Sequence, residues 1–335
     1  MNNGWKALLG AGALAAVDVG IAEYFFQRTM VRQNAKVERT KEMSGTDWAR
    51  YMPKIAKWKE WMLEQPHEDV YIRSGDGLKL HGTYFTRPEP DSGGRQDGQE
   101  NGAEEAGEGK KTPAKVVICF HGYTSEGVSG FIGLSNYYLP RGYEMLLVDQ
   151  RAHGASEGRY IGFGCLDRRD ALCWIRYVEE RRGRDAQILL HGTSMGGATV
   201  LMASGLNLPS SVKGIISDCA FTSAWDVFTH VLRNEYHLPA RPIMEAADRL
   251  VKARAGYGLR ECSAAQEVKK ARVPILFIHG DADTFVPCWM CETIYDNCAS
   301  RKEKLIVHGA GHCESHYMAT EEVEEKLTEF LDSVL

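Results

Sequence analysis

The chain has 335 residues, 44% of them hydrophobic and 25% charged, enough for one large core of roughly 250 residues with appendages. A formal net charge of −5 and a pI near 6.1 argue against nucleic acid as the main partner, because a phosphate-binding domain carries a basic face. The supply of Leu, Ile, Val and aromatic residues excludes a chain that is disordered throughout.

Residues 7–26, ALLGAGALAAVDVGIAEYFF, form a mostly apolar run of 20 residues, long enough to span a bilayer as a helix. Asp18 and Glu23 interrupt it, and an acid near the centre of a span costs about 2.5–3.5 kcal/mol. No small-residue cleavage site follows, which disfavours a removed signal peptide. The expectation is a hydrophobic helix within residues 1–30 that anchors the chain in a membrane, with a helix packed on the globular part as the alternative. Lys6 precedes the run, whereas Arg28, Arg32, Lys36, Arg39 and Lys41 follow it. A spanning helix would then leave the rest of the chain on the cytoplasmic side; without a span, the chain is expected to be cytoplasmic. Nine dispersed cysteines agree, since an odd, scattered set suits reduced thiols. Cys288 and Cys291 form one Cys-x-x-Cys, but no second pair lies nearby, and no metal site is expected. Cys119 and Cys219 sit in or beside apolar strand-like runs, as small core residues do.

Residues 31–66 read as an amphipathic helical linker. Trp48, Met52, Ile55, Trp58 and Met62 recur at helical spacing, beside Arg50, Lys54, Lys57 and Lys59. Such a basic aromatic stripe can lie on a membrane surface, but packing on its own domain is the favoured reading.

A catalytic domain is expected over residues 67–335. The segment EDVYIRSGDGLKLHGTYFTRP predicts two short strands around a Gly-Asp-Gly turn. Residues 88–113 are rich in Gly, Glu, Asp, Gln and Pro and read as a flexible surface insertion without chemistry. Strands are then predicted at Lys115–Phe120, Glu144–Asp149, Gln187–His191, Gly214–Asp218, Pro274–His279 and Lys304–Val307. Stretches of helical length separate them, which predicts an α/β fold with a mostly parallel central sheet and helices on both faces. The interval between Asp218 and Pro274 is too long for a simple crossover, so residues 220–270 are expected to form a small helical cap over the strand ends.

The chemistry is carried by loops at the carboxyl ends of these strands. Gly192-Thr193-Ser194-Met195-Gly196 follows the strand QILLH and precedes the helix-like ATVLMASGL. Gly-x-Ser-x-Gly in that setting is a nucleophile elbow, whose sharp turn leaves no room for side chains two residues either side of the serine. Ser194 is therefore the candidate nucleophile. Asp283, in HGDADTFVP, and His312, in GAGHCES, follow in the order Ser, Asp, His and at matched strand ends. His312 would take the proton from Ser194, and Asp283 would orient the imidazole. Asp281 and Asp218 are lesser candidates for the acid; His121, His191, His279 and His308 read as structural hydrogen-bonding residues, and His316 as part of the following helix. In FHGYT, the Tyr123 backbone N–H would pair with that of Met195 as an oxyanion hole. The loop DQRAHGASEG lacks the Gly-Lys-Ser/Thr ending of a phosphate loop and reads as scaffold, with Arg151 in a supporting ion pair.

Together DGLKLHGTYF, HGYT, DQRAHGASEG, GTSMGG, HGDADTFVP and GAGHCE resemble the α/β-hydrolase superfamily over roughly residues 67–335. More narrowly they are similar to bacterial esterase-like, Bem46-type and serine-aminopeptidase-like members. The resemblance implies a serine-dependent acyl hydrolase that needs no cofactor and acts on a small-molecule acyl substrate. Carboxylic esters lead, with thioesters served by the same apparatus. An amide-cleaving peptidase and a cofactor-free haloperoxidase are the alternatives on this fold, which does not itself fix a substrate.

Overall fold

Eight runs of mainly β-branched and apolar residues pair into a single sheet of order β1-β2-β4-β3-β5-β6-β7-β8. The strands are β1 His67–Arg73, β2 Lys79–Phe85, β3 Lys115–Phe120, β4 Glu144–Val148, β5 Gln187–Thr193, β6 Val212–Asp218, β7 Ile275–Gly280 and β8 Lys302–Val307. The first two form an antiparallel hairpin, β2 runs antiparallel to β4, and every later pairing is parallel. The molecule, a computed structural model, describes residues 17–32, 46–86 and 112–335. Residues 7–16 of the apolar run, the linker over 33–45 and the insertion as far as residue 111 lie outside the described residues.

Side-chain alternation distributes each central strand between two cores. Ile118, Phe120 and Leu190 face one layer with Trp174 and Ile175, from helix Asp167–Arg182. Val117, Cys119 and Leu189 face the other with Tyr138, Leu327 and Phe330. Both faces are covered, which explains why these strands read as continuous apolar runs rather than alternating ones. Each fully buried Phe or Leu in them contributes about 1.5–3 kcal/mol. The parallel strands all present their carboxyl ends on one edge of the sheet, where the loops predicted to carry chemistry emerge.

Helix Met52–Glu64 packs on the domain rather than projecting from it. Met62 is fully buried in the second core, and the Trp58 ring lies 5.9 Å from His316 and 6.0 Å from Tyr317. Between β6 and β7 the chain makes helices Ala224–Asn234 and Ile243–Ala255, which lie over the strand ends.

The expectation of a membrane anchor needs correction in its described half. Residues 17–25 are α-helical and run into a π-helical turn, Phe26–Met30, which docks on the sheet-and-helix core. Phe26 and Met30 are buried in the first core. Glu23 pairs with Arg254 at 2.7 Å, Val31 bridges to Tyr160, and the Arg32 guanidinium donates to the Gly154 carbonyl at 2.6 Å. Among the described residues no helix is long and apolar enough to cross a membrane. Ala22, Phe26 and Met30 of this segment serve protein packing, whereas Val17, Val19 and Tyr24 stay exposed. Phe26→Ala is expected to cost about 3 kcal/mol, the low end for a buried Phe because the segment can detach as a unit. A thermal melt that does not move would show that the segment is undocked.

Candidate active site

Ser194 sits between β5 and helix Met195–Ala203 with φ 55° and ψ −114°, a conformation that a residue with a side chain adopts only under constraint. The flanking glycines show what imposes it. A β-carbon on Gly192 would fall 2.1 Å from the Gly196 carbonyl oxygen, and one on Gly196 would fall 1.8 Å from that of Phe120. The turn is closed so tightly that only glycine fits at both places. The Ser194 amide donates to the Asp218 carbonyl at 2.8 Å, which ties the turn to the end of β6.

The three residues picked out by their strand ends meet here. The Ser194 hydroxyl lies 2.9 Å from His312 Nε2, and His312 Nδ1 donates to Asp283 Oδ2 at 2.7 Å. The imidazole is fully buried and Asp283 nearly so. Asp283 Oδ1 accepts from the Phe285 and Val286 amides at 2.9 and 2.8 Å. Burial alone would raise the Asp283 pKa, but the charge of His312 and the hydrogen bonds of His279 and His312 more than offset it, and the carboxyl is held well below the usual range. Burial would likewise disfavour the His312 cation. The negative charge facing it, from the Cys313 sulfur and the Asp283 carboxylate, outweighs burial and raises its pKa well above the ordinary value. The pair is thus built to stabilise an imidazolium.

The other acids and histidines fall elsewhere. Asp281 accepts from the His308 ring at 2.7 Å and the Gly309 amide at 2.6 Å, tying the loop after β7 to the loop after β8. Asp218 contacts Ser315 at 3.4 Å, and burial pushes its pKa up to about 7. His191 receives the Tyr138 hydroxyl at 2.9 Å, and His316 lies in the short helix Ser315–Met318 beside Glu324.

The loop carrying Tyr123 runs alongside the serine. A β-carbon on Gly122 would touch the Ser194 β-carbon at 3.4 Å, so glycine allows the close approach. Met195 is the first residue of its helix, and its N–H has no intrahelical carbonyl to serve. The loop is held from behind by Gln150, within the DQRAHGASEG segment that reads as scaffold. Its side-chain amide donates to the His121 carbonyl at 2.6 Å, and its Oε1 accepts from Thr199 at 2.8 Å. His279 is a second residue underestimated from sequence: its Nε2 donates to the Val286 carbonyl at 2.7 Å and lies 3.4 Å from Asp283 Oδ2. A histidine at a strand end gives no signal that distinguishes this position from His191.

Two chambers open on either side of Ser194. One, of about 300 Å³, is walled by Phe163, Phe221, Phe228, Ile243 and Met244, and by Phe25, Phe26 and Met30 of the N-terminal segment. Its lining is overwhelmingly apolar, with Arg28 the one charged residue among the described lining residues. The other, of about 370 Å³, lies under helix Met52–Glu64, with Trp48, Met52, Ile55 and Tyr317 in its wall. Tyr123 borders both; burial pushes its phenol pKa up to about 12.

This sheet, with a serine, a histidine and an aspartate gathered at its carboxyl edge, is the architecture of a hydrolase. The family described as alpha/beta hydrolase fold matches residues 115–242, and the one described as serine hydrolase (FSH1) matches residues 204–313. The YqkD protein of Bacillus subtilis (strain 168) is 30% identical over 223 residues, covering 67% of this chain and 72% of its own. YfhR of Escherichia coli (strain K12) is 23% identical over 272 residues, covering 80% and 81%. Among solved structures, the Pyrococcus furiosus esterase Pf2001 superposes with a TM-score of 0.63 at 18% identity, covering 91% of this chain and 98% of that one. An acetyl xylan esterase from Paenibacillus sp. R4 gives 0.57 at 16% identity, covering 90% and 98%. The chain belongs to the α/β-hydrolase superfamily.

Proposed function

We propose that the protein hydrolyses carboxylic esters of apolar acids through an acyl-enzyme on Ser194. The observation that carries this reading is the Ser194–His312–Asp283 chain of hydrogen bonds opening directly onto an apolar chamber of about 300 Å³. His312 accepts the Ser194 proton as the oxygen attacks the acyl carbon, and Asp283 stabilises the resulting imidazolium. The Tyr123 and Met195 amides receive the developing oxyanion. His312 then returns the proton to the leaving alcohol, and activates the water that releases the acid. The helices within residues 220–270 act as the cap that closes the acyl chamber, and the second chamber receives the alcohol.

An apolar wall rewards each added methylene by about 0.8 kcal/mol, close to fourfold in kcat/KM. Across a series of p-nitrophenyl esters, kcat/KM is therefore expected to climb from acetate through successive methylenes until the chamber fills. Met244→Trp, which narrows that chamber, is expected to move the optimum to shorter chains while sparing acetate. A profile that is flat or falls from acetate onward would remove the acyl group from this chamber.

A further inference from the structure

Three soft donors meet where the end of β6 approaches the loop after β8. Cys219 directly follows β6, Cys313 directly follows His312, and the two sulfurs are 3.5 Å apart. Both sulfurs and a ring nitrogen of His312 lie within 4.8 Å of one another. A tetrahedral zinc ion, with Zn–S of about 2.3 Å and Zn–N of about 2.0–2.1 Å, sets its ligands about 3.5–3.8 Å apart. The two thiols already stand at that separation, and bringing in the imidazole takes a shift on the order of 1 Å.

The surroundings suit a metal ligand. His312 Nδ1 donates to Asp283 and Nε2 faces Ser194, the carboxylate–imidazole arrangement that orients a metal-bound histidine; an ion would take over one of these two nitrogens. Ser194 Oγ, 2.9 Å from Nε2, or a water can take the fourth position. Cys313 borders the second chamber, which gives an ion a route from solvent. Two thiolates and an imidazole select a soft or borderline cation over magnesium or calcium, which prefer oxygen.

We propose that Cys219, Cys313 and His312 form an inhibitory site for a thiophilic divalent cation such as zinc. The inhibition rests on the reading of His312 as the base. When the ion binds, the protons that the two sulfurs and the imidazole hold leave to solvent and a ring-nitrogen lone pair of His312 goes to the metal, so His312 is no longer available to Ser194. Chelation returns the enzyme to activity.

The test titrates zinc chloride into the protein by calorimetry in a phosphine reductant, which keeps the thiols from forming a disulfide, while hydrolysis of a p-nitrophenyl ester is followed in parallel. One ion per chain is expected, with activity lost as the site fills, restored by EDTA, and unaffected by magnesium. Cys219→Ala is expected to keep the zinc-free rate. Losing a ligand costs at least as much as losing an outer partner, so the half-inhibiting zinc concentration should rise about 10–100-fold, and Cys313→Ala should weaken binding similarly. Cobalt(II) should give thiolate charge-transfer absorption in the unmodified protein but not in the double variant. Equal zinc affinity in all variants, or binding weaker than about 1 mM, would overturn the site. The calorimetry and cobalt spectrum need no ester, so a failure to hydrolyse any ester would count against the proposed function and leave the metal site tested on its own.

Discussion

Ser194→Ala is expected to lower kcat by at least about 10,000-fold, equivalent to about 5 kcal/mol of transition-state stabilisation. The hydroxyl is in hydrogen-bond contact with His312 Nε2, at 2.9 Å, and it stands on a turn that exposes it to both chambers. His312→Ala should lose about as much, and the double variant little more, because in the proposed mechanism the serine is a weak nucleophile without its base. A fluorophosphonate probe provides an independent readout. It should label the unmodified chain and fail on Ser194→Ala. Labelling that survives the substitution would place the nucleophile elsewhere.

Arg151→Met is expected to destabilise the fold by about 3–5 kcal/mol, read by chemical denaturation. The Arg151 guanidinium is buried and grips Asp170 with two hydrogen bonds, of 2.7 and 2.8 Å, and Asp76 with two more, of 2.9 and 3.2 Å. Asp76 is half exposed and can turn to water, but Asp170 cannot. Burial already raises the Asp170 pKa to about 6 even against the pull of Arg151. Without the arginine it rises still further above the unfolded-state value. The folded variant then binds a proton that the unfolded chain does not, so its stability recovers as pH falls. The unmodified protein takes up the same proton only near pH 6, so the deficit relative to it should narrow from pH 7 toward about pH 6 and level off below. A deficit that widens over that range would mean that the lost interactions are not those with Asp170. The loop that Arg151 secures also carries Gln150, so its loosening should reach the His121–Tyr123 segment as well.

The parallel sheet was legible because its strands are buried on both faces and leave apolar runs in the sequence; predicted and observed limits differ by at most two residues. The β1–β2 hairpin was legible through its turn, where Gly77 has φ 92°. Ser194, Asp283 and His312 were singled out by their places at strand ends, and the structure brings those three side chains into contact. What escaped has a common physical origin. Apolar residues such as Phe25, Phe26 and Met30 have the same hydropathy whether they meet lipid or line a chamber, and only their distant partners decide which. The approach of Cys219 to Cys313 spans 94 residues and depends on how two separate loops end. The grip of Gln150 on the His121 carbonyl uses a residue type with no motif value of its own.

The docked N-terminal segment also has a consequence for how the molecule is made. Glu23 pairs with Arg254, 231 residues further along, and Phe26 and Met30 share a chamber wall with Ile243 and Met244. At about 5–20 residues per second, a ribosome takes roughly 10–45 s to deliver that partner. During this interval the apolar face made first has only the earlier-made part of its native surface, around Tyr160, to cover it. The wall of the chamber can therefore close only late in synthesis, and the nascent chain presents a greasy helix to whatever holds such segments until then.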